Sequence, residues 1–166
     1  MSDALAAARI EILPAQSADE IAAVSTLFQE YAASLDVSLC FQGFDKELAE
    51  MPGAYAPPLG RLFLVHVDGR PAGCIALRPL DEDRNRCEMK RLYLRPGNRG
   101  LGLGRRLAEL VIAEARSIGY RKLVLDTLAD MKEARALYAG LGFREIPAYY
   151  DNPLPGVLYA ELDLGR

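Results

Sequence analysis

The apolar positions of this chain switch between two periods, and the switches mark out its elements. Ile10, Ile12 and Leu13, followed by Pro14, predict a short first strand. Ser17 and Glu20 stand in a capping-box pattern, and Ile21, Val24, Leu27, Phe28 and Tyr31 then follow helical spacing to about residue 34. Residues 35–43, with Leu39, Cys40 and Phe41, have no clear period and predict a loop or helix end. Residues 45–51 predict a second short helix, stopped by Pro52 and Gly53. A strand is predicted over 62–67, a two-residue hairpin turn at Asp68 and Gly69, and the partner strand over 72–77. A charged turn over 79–86 leads to a further strand over 87–95. Leu107, Val111, Ala115 and Ile118 share one face of a helix that begins near Gly104, with Gly119 as its C-terminal cap. Residues 122–126 predict the next strand, and a strand, helix and strand in this order favour a parallel pair with a right-handed crossover. Asp130 and Glu133 repeat the capping-box spacing before a stripe of Ala134, Leu137, Tyr138 and Leu141. Strands over 143–149 and 157–164, joined by a turn-rich connection at 151–156, close a mixed α/β fold that spans 1–166 as a single domain.

Between the strand over 87–95 and its following helix lies the stretch Arg99, Gly100, Leu101, Gly102, Leu103, Gly104, Arg105, Arg106. Glycines at alternate positions leave the backbone bare, so successive N–H groups can turn toward one guest. The first N–H groups of the helix point the same way, and its dipole favours negative charge there. Arg99, Arg105 and Arg106 add positive charge at the same mouth. This is the chemistry of a phosphate or pyrophosphate cradle, set against the plainer reading of a glycine-rich turn with solvated arginines. The spacing fails the dinucleotide pattern G-x-G-x-x-G, which would need glycine where Arg105 or Leu107 stands, and no Gly-Lys-Ser/Thr triplet follows for a Walker loop. It fits Arg99-x-x-Gly102-x-Gly104.

Composition narrows the function classes. The net charge of −3 offers no global basic field for nucleic acid, so the arginines around the loop are a local feature. Cys40, Cys74 and Cys87 are odd in number and form no C-x-x-C pair, which argues against a disulfide framework or a metal site and for reduced thiols. No apolar run approaches the roughly 18 residues of a membrane span, and residues 1–10 lack the pattern of a signal peptide, so the expectation is a cytoplasmic protein. His66, the single histidine, lies inside a predicted strand and is read as structural.

Three stretches resemble, in order and spacing, the GNAT superfamily of acyl-CoA-dependent N-acetyltransferases. They are Glu88-Met-Lys-Arg-Leu-Tyr-Leu94, the loop from Arg99 to Gly104, and Ala134-x-x-Leu-Tyr138-x-x-x-Gly142-Phe143. The resemblance is strongest over 87–144. It implies a twisted, mostly antiparallel sheet flanked by helices, splayed where a central parallel pair parts, with acetyl-CoA wedged in the opening as co-substrate. It also implies a bulge in the strand over 87–95. Leu92, Tyr93 and Leu94 would then pair with the pantetheine amides and supply an oxyanion-type N–H. Arg99, Gly100, Leu101, Gly102, Leu103, Gly104 and Arg105 would cradle the pyrophosphate, and no metal is implied. Glu88 takes the family's general-base position, where burial would raise its pKa; the alternative is a strand carboxylate paired with Lys90 or Arg91. Tyr138 takes the position of the general acid for the departing thiolate; the alternative is a core tyrosine. Many family members carry Asn where this chain has Met131, so the contact there with the cofactor arm is apolar or made by backbone.

The implied activity is acetyl transfer to a primary amine of a small molecule or peptide by direct attack, and the competing reading is a non-catalytic acyl-CoA sensor. Phe28, Tyr31, Phe41, Tyr149, Tyr150 and Asn152 come from the acceptor side in this family. Asp151 could attract a cationic amine there, or the run 149–152 could be hairpin turn chemistry or a dimer contact. Pairing through C-terminal strands, common in the family, makes a homodimer an expectation.

Overall fold

Alternation along two central strands decides how the layers stack. In the computed structural model, which describes residues 7–35, 38–39, 43–81 and 85–165, β2 (Arg61–Val67) sends Phe63, Val65 and Val67 to one face and Leu62 and Leu64 to the other. Its hairpin partner β3 (Arg70–Pro79) does the same, with Ile75 and Leu77 on the first face and Cys74 and Ala76 on the second. Such a sheet must be covered on both sides, and two cores result.

The first core takes helix α3 (Leu103–Ile118), which buries Leu103, Leu107, Ala108, Val111, Ile112 and Ala115. The predicted stripe is therefore the packed face, with Ile118 at its margin, and Gly119 caps the helix in a left-handed conformation at φ 108°. Each fully buried leucine on it contributes about 1.5–3 kcal/mol. The second core takes α1 (Ala18–Ser34) through Val24, Leu27 and Phe28, and the six-residue α2 (Phe44–Ala49) through Phe44. The capping box of α1 is present in both directions: Glu20 N–H donates to Ser17 Oγ at 3.1 Å, and Ser17 N–H donates to a Glu20 carboxylate oxygen at 2.8 Å.

The remaining elements are β1 (Ile10–Pro14), β4 (Arg86–Leu94), β5 (Lys122–Leu128), α4 (Lys132–Gly140), β6 (Arg144–Ile146) and β7 (Val157–Asp163). The described strands form one sheet in the order β1-β2-β3-β4-β5-β7-β6, antiparallel throughout except for β4 with β5. This is the expected mixed α/β architecture with its single parallel pair and flanking helices.

Two expectations need correction. Asp130 does not cap α4: that helix starts at Lys132 behind Met131, without a side-chain cap. Met131 N–H donates to Leu128 O and Lys132 N–H to Asp130 O, so a tight turn occupies the place of the capping box. The strand over 143–149 shrinks to three residues, because Pro147 has no N–H for the ladder and Tyr149 and Tyr150 leave the sheet for other partners. Residues 40–42, which include Cys40 and Phe41, lie outside the described residues.

Candidate active site

The parallel pair is the origin of the site. β4 and β5 are in register only at Arg86 with Lys122, Cys87 with Leu123 and Glu88 with Val124. Past Glu88, β4 keeps β3 on one side and has no strand on the other among the described residues. Its outer backbone edge is thus open, as an extended amide-bearing ligand would need.

A bulge lies at the fork. Cys74 pairs with Tyr93 but Ala76 with Lys90, so Arg91 and Leu92 together face Ile75. Arg91 sits at φ 61°, left-handed backbone that costs a non-glycine residue about 1–2 kcal/mol. Its guanidinium is clamped from α2: Nε and Nη2 donate to the two Glu47 carboxylate oxygens at 3.0 and 2.9 Å, and the group lies 5.2 Å from the Phe44 ring centroid. The side chains of Arg91 and Glu47 are only 3% and 11% exposed. Burial pulls the Arg91 guanidinium down, but the Glu47 carboxylate more than reverses this and holds it firmly charged.

A cleft of about 690 Å³ opens from the fork to the start of α3. Of the residues singled out in the sequence, Leu92, Tyr93, Leu94, Arg99, Gly100, Gly102, Leu103, Gly104, Met131 and Tyr138 line it. Leu101 and Arg105 do not: Leu101 is exposed to solvent, and Arg105 pairs with Glu109 on the surface at 2.9 Å. Gly102 is the N-cap of α3 at φ 73°, and Gly100 stands at φ 83°. Among the described residues, none of the amides from 100 to 105 donates to a protein acceptor. A row of unsatisfied donors at the head of a sixteen-residue helix is an anion site by construction. On the far wall Met131 Sδ accepts from Thr127 Oγ1 at 3.6 Å, which leaves the helix end apolar where a carboxamide is common in the family.

Comparison with known proteins agrees with this geometry. A model of the acetyltransferase (GNAT) family matches residues 23–143. The chain belongs to the GNAT acetyltransferase family. It is 40% identical to an uncharacterised N-acetyltransferase of Schizosaccharomyces pombe over 84% of this chain and 86% of that one. It is also 35% identical to human N-acetylaspartate synthetase, over 67% of this chain and 37% of that protein. An acetyltransferase of Salmonella typhimurium, solved with its cofactor acetyl-CoA, shares the fold at a TM-score of 0.70 and 22% identity, with 95% of each chain covered.

Tyr138 is half-buried on the wall of this GNAT cleft, its ring 5.6 Å from that of Phe143. Its hydroxyl has no protein partner among the described residues, and burial, with Tyr31 and Asp126 nearby, pushes the phenol up so that it keeps its proton.

Glu88 stands differently. It is 1% exposed and absent from the cleft wall. Arg78 donates to its Oε1 at 2.7 and 2.8 Å, and the Tyr149 hydroxyl donates to its Oε2 at 2.5 Å. Its hydrogen-bonded partners are thus Arg78 and Tyr149, while Lys90 acts on it through charge. Burial pushes the carboxyl up, as expected, but the charges of Lys90 and Arg78 and the bonds from Tyr149 and Arg78 outweigh it and hold Glu88 below the ordinary carboxylate value. A depressed folded value stabilises the protein above the unfolded value near 4.5, and that stability is lost as pH falls through the folded value. Glu88→Gln is therefore less stable than wild type at neutral pH, and the gap in urea midpoint narrows as the medium is acidified below about pH 4.5. A gap constant across that range refutes the assignment.

Sequence reasoning missed the polar cluster at the fork. Asp126 lines the cleft and accepts a hydrogen bond from Tyr150, whose oxygen in turn accepts from Asn152 Nδ2 at 2.9 Å. Lys90 and Arg91 line it too. Asp151, the expected attractor of an amine, is exposed and off the wall, while Tyr149 and Tyr150 spend their hydroxyls on Glu88 and Asp126. The available signal was alternation: Glu88 and Lys90 share a face, and Asp126 ends an apolar run. His66, opposite Glu11 in the β1–β2 pair, takes no part in the cleft.

Proposed function

We propose that the protein transfers an acetyl group from acetyl-CoA to a primary amine by direct attack within a ternary complex. The observation that carries this is the continuity of the cleft, from an open strand edge at the fork to the unpaired amides of residues 100–105. Open amides at a helix head suit the pyrophosphate, and the edge of β4 at Leu92, Tyr93 and Leu94 suits the amides of the pantetheine arm.

The chemistry follows from what the walls offer. The amine arrives as an ammonium and must lose a proton before its nitrogen can attack the thioester carbon. Of the carboxylates on the wall, we assign Asp126, at the fork, to take that proton, while Glu88, held by Arg78 and Tyr149 and off the wall, does not contact the amine. The bulge turns the backbone at Leu92 toward the carbonyl oxygen, where an N–H steadies the developing negative charge. As the tetrahedral intermediate collapses the C–S bond breaks, Tyr138 hydrogen-bonds the sulfur and delivers its proton to the thiolate, and the second proton shed by the attacking nitrogen passes through solvent to restore the phenol. The amide and free CoA are the products, and no metal is needed.

Calorimetry with CoA and acetyl-CoA should show uptake of both, and a panel of amines should then release free CoA thiol from acetyl-CoA. Uptake without release for every amine would leave the non-catalytic acyl-CoA-binding module as the reading. No uptake would remove both.

A further inference from the structure

Resting on the transferase reading and its assignment of Asp126, we propose that Tyr150 is a positioning residue: its hydroxyl, oriented by Asn152, occupies Oδ2 of Asp126 and so directs the amine proton to Oδ1.

The direction of each bond in this chain of groups follows from one backbone amide. Leu154 N–H can only donate, and it donates to Asn152 Oδ1 at 2.9 Å. That fixes the carboxamide against a flip, so its other end, Nδ2, meets Tyr150 and donates to the phenol oxygen at 2.9 Å. The phenol in turn gives its own proton to Asp126 Oδ2. A carboxylate oxygen that already accepts a proton in this way is the poorer site for another. The amine proton therefore goes to Oδ1.

The fold builds this arrangement into the sheet. Asp126 of β5 pairs with Tyr159 of β7, so the two side chains stand on one face. Tyr150 packs edge-on to Tyr159 with ring centroids 5.6 Å apart, and Tyr149 lies 5.2 Å from Tyr159 and 5.4 Å from Tyr150. Ala129 N–H, just past the end of β5, donates to Gly156 O at 2.8 Å and ties down the far end of the connection that carries Tyr150 and Asn152. Asp126 lines the cleft and Tyr150 does not, so the phenol reaches the reaction through its neighbour. Holding is needed because Lys90, on the opposite lip of the fork, attracts the same carboxylate and offers it a second direction in which to turn. A misplacement of about 1 Å in a reacting group costs on the order of 10²-fold in rate. The adjacent tyrosine makes the same kind of bond away from the chemistry: Tyr149 donates to Glu88, which is off the wall.

The test compares Tyr150→Phe with Tyr149→Phe, using an amine that the wild type acetylates. Both substitutions keep the ring and remove a hydrogen bond to a carboxylate, so both should lower Tm. Only Tyr150→Phe should lower kcat, by about tenfold, with KM for acetyl-CoA unchanged. A carboxylate relieved of a hydrogen bond is the stronger base, so a fall in kcat, and not a rise, marks loss of position. In an Asp126→Asn background, assayed in alkaline buffer where part of the amine is already neutral, Tyr150→Phe should cost nothing further. If Asp126→Asn gives no measurable rate, the contrast between the two tyrosines decides alone. An unchanged kcat in Tyr150→Phe, an equal fall in Tyr149→Phe, a repeated fall in the Asp126→Asn background or a wild-type rate for Asp126→Asn each overturns the proposal and leaves the transferase reading standing. A wild-type protein that releases CoA thiol with no amine removes that reading and the proposal with it.

Discussion

Tyr138→Phe should lower kcat for acetyl transfer by about 10²-fold or more, while KM for acetyl-CoA stays nearly unchanged. The substitution removes one oxygen and little else. The ring keeps its contact with Phe143, and no protein hydrogen bond is broken, because the hydroxyl has no partner among the described residues. Stability should therefore hardly move. What disappears is a phenol on the cleft wall, kept protonated by its burial. A proton donor matters only once the C–S bond stretches, so its loss falls on kcat and not on binding. The check is CoA release with a compound the enzyme turns over, read beside calorimetric affinity for CoA. An unchanged kcat would reduce Tyr138 to a packing residue and leave the thiolate to draw its proton from water.

The parts of this site legible in the sequence are those built by near neighbours. Arg99-x-x-Gly102-x-Gly104 is a backbone device: its left-handed glycines and the helix that follows are encoded within a few residues, so the spacing alone carries the anion site. The stripe of Leu107, Val111 and Ala115 is local for the same reason. The bulge and the splay came by family resemblance, because nothing in the run from Glu88 to Leu94 announces which residue will stand at φ 61°.

What could not be read was the pairing of charges. Glu88 and Lys90 look like an obvious pair by proximity, yet Glu88 goes to Arg78 and Tyr149, the latter 61 positions away. Arg91 goes to Glu47, 44 positions away. The charge of Lys90, joined by tertiary contacts of this kind, turned an expected rise at Glu88 into a fall. They also explain the short β6, since Tyr149 and Tyr150 leave the sheet to donate to two carboxylates.

The tie between α2 and the bulge leads to the largest expected loss of stability. Glu47→Ala should destabilise the protein by about 3–5 kcal/mol, because it strands a buried guanidinium that cannot shed its proton. For a chain of this size that lowers Tm by roughly 10 °C. The surface pair Arg105–Glu109 is the internal control: its side chains are 55% and 51% exposed, and Glu109→Ala should cost no more than about 0.5 kcal/mol. Solvent replaces the lost partner at Arg105, whereas at Arg91 nothing does. The loss should also reach the cleft. A six-residue helix does not persist alone, so α2 depends on Phe44 and on this ion pair for its place. The left-handed backbone at Arg91 in turn depends on α2. The double variant Glu47→Leu with Arg91→Met should therefore recover much of the melting temperature, since an apolar pair avoids the buried charge. It should not recover kcat, because methionine lacks the clamp that holds the bulge at φ 61°. Urea unfolding measures the first part and CoA release the second. A Glu47→Ala protein that melts within about 2 °C of wild type would show that the pair is solvated in solution. A double variant with full kcat would show that the bulge holds its shape without the clamp.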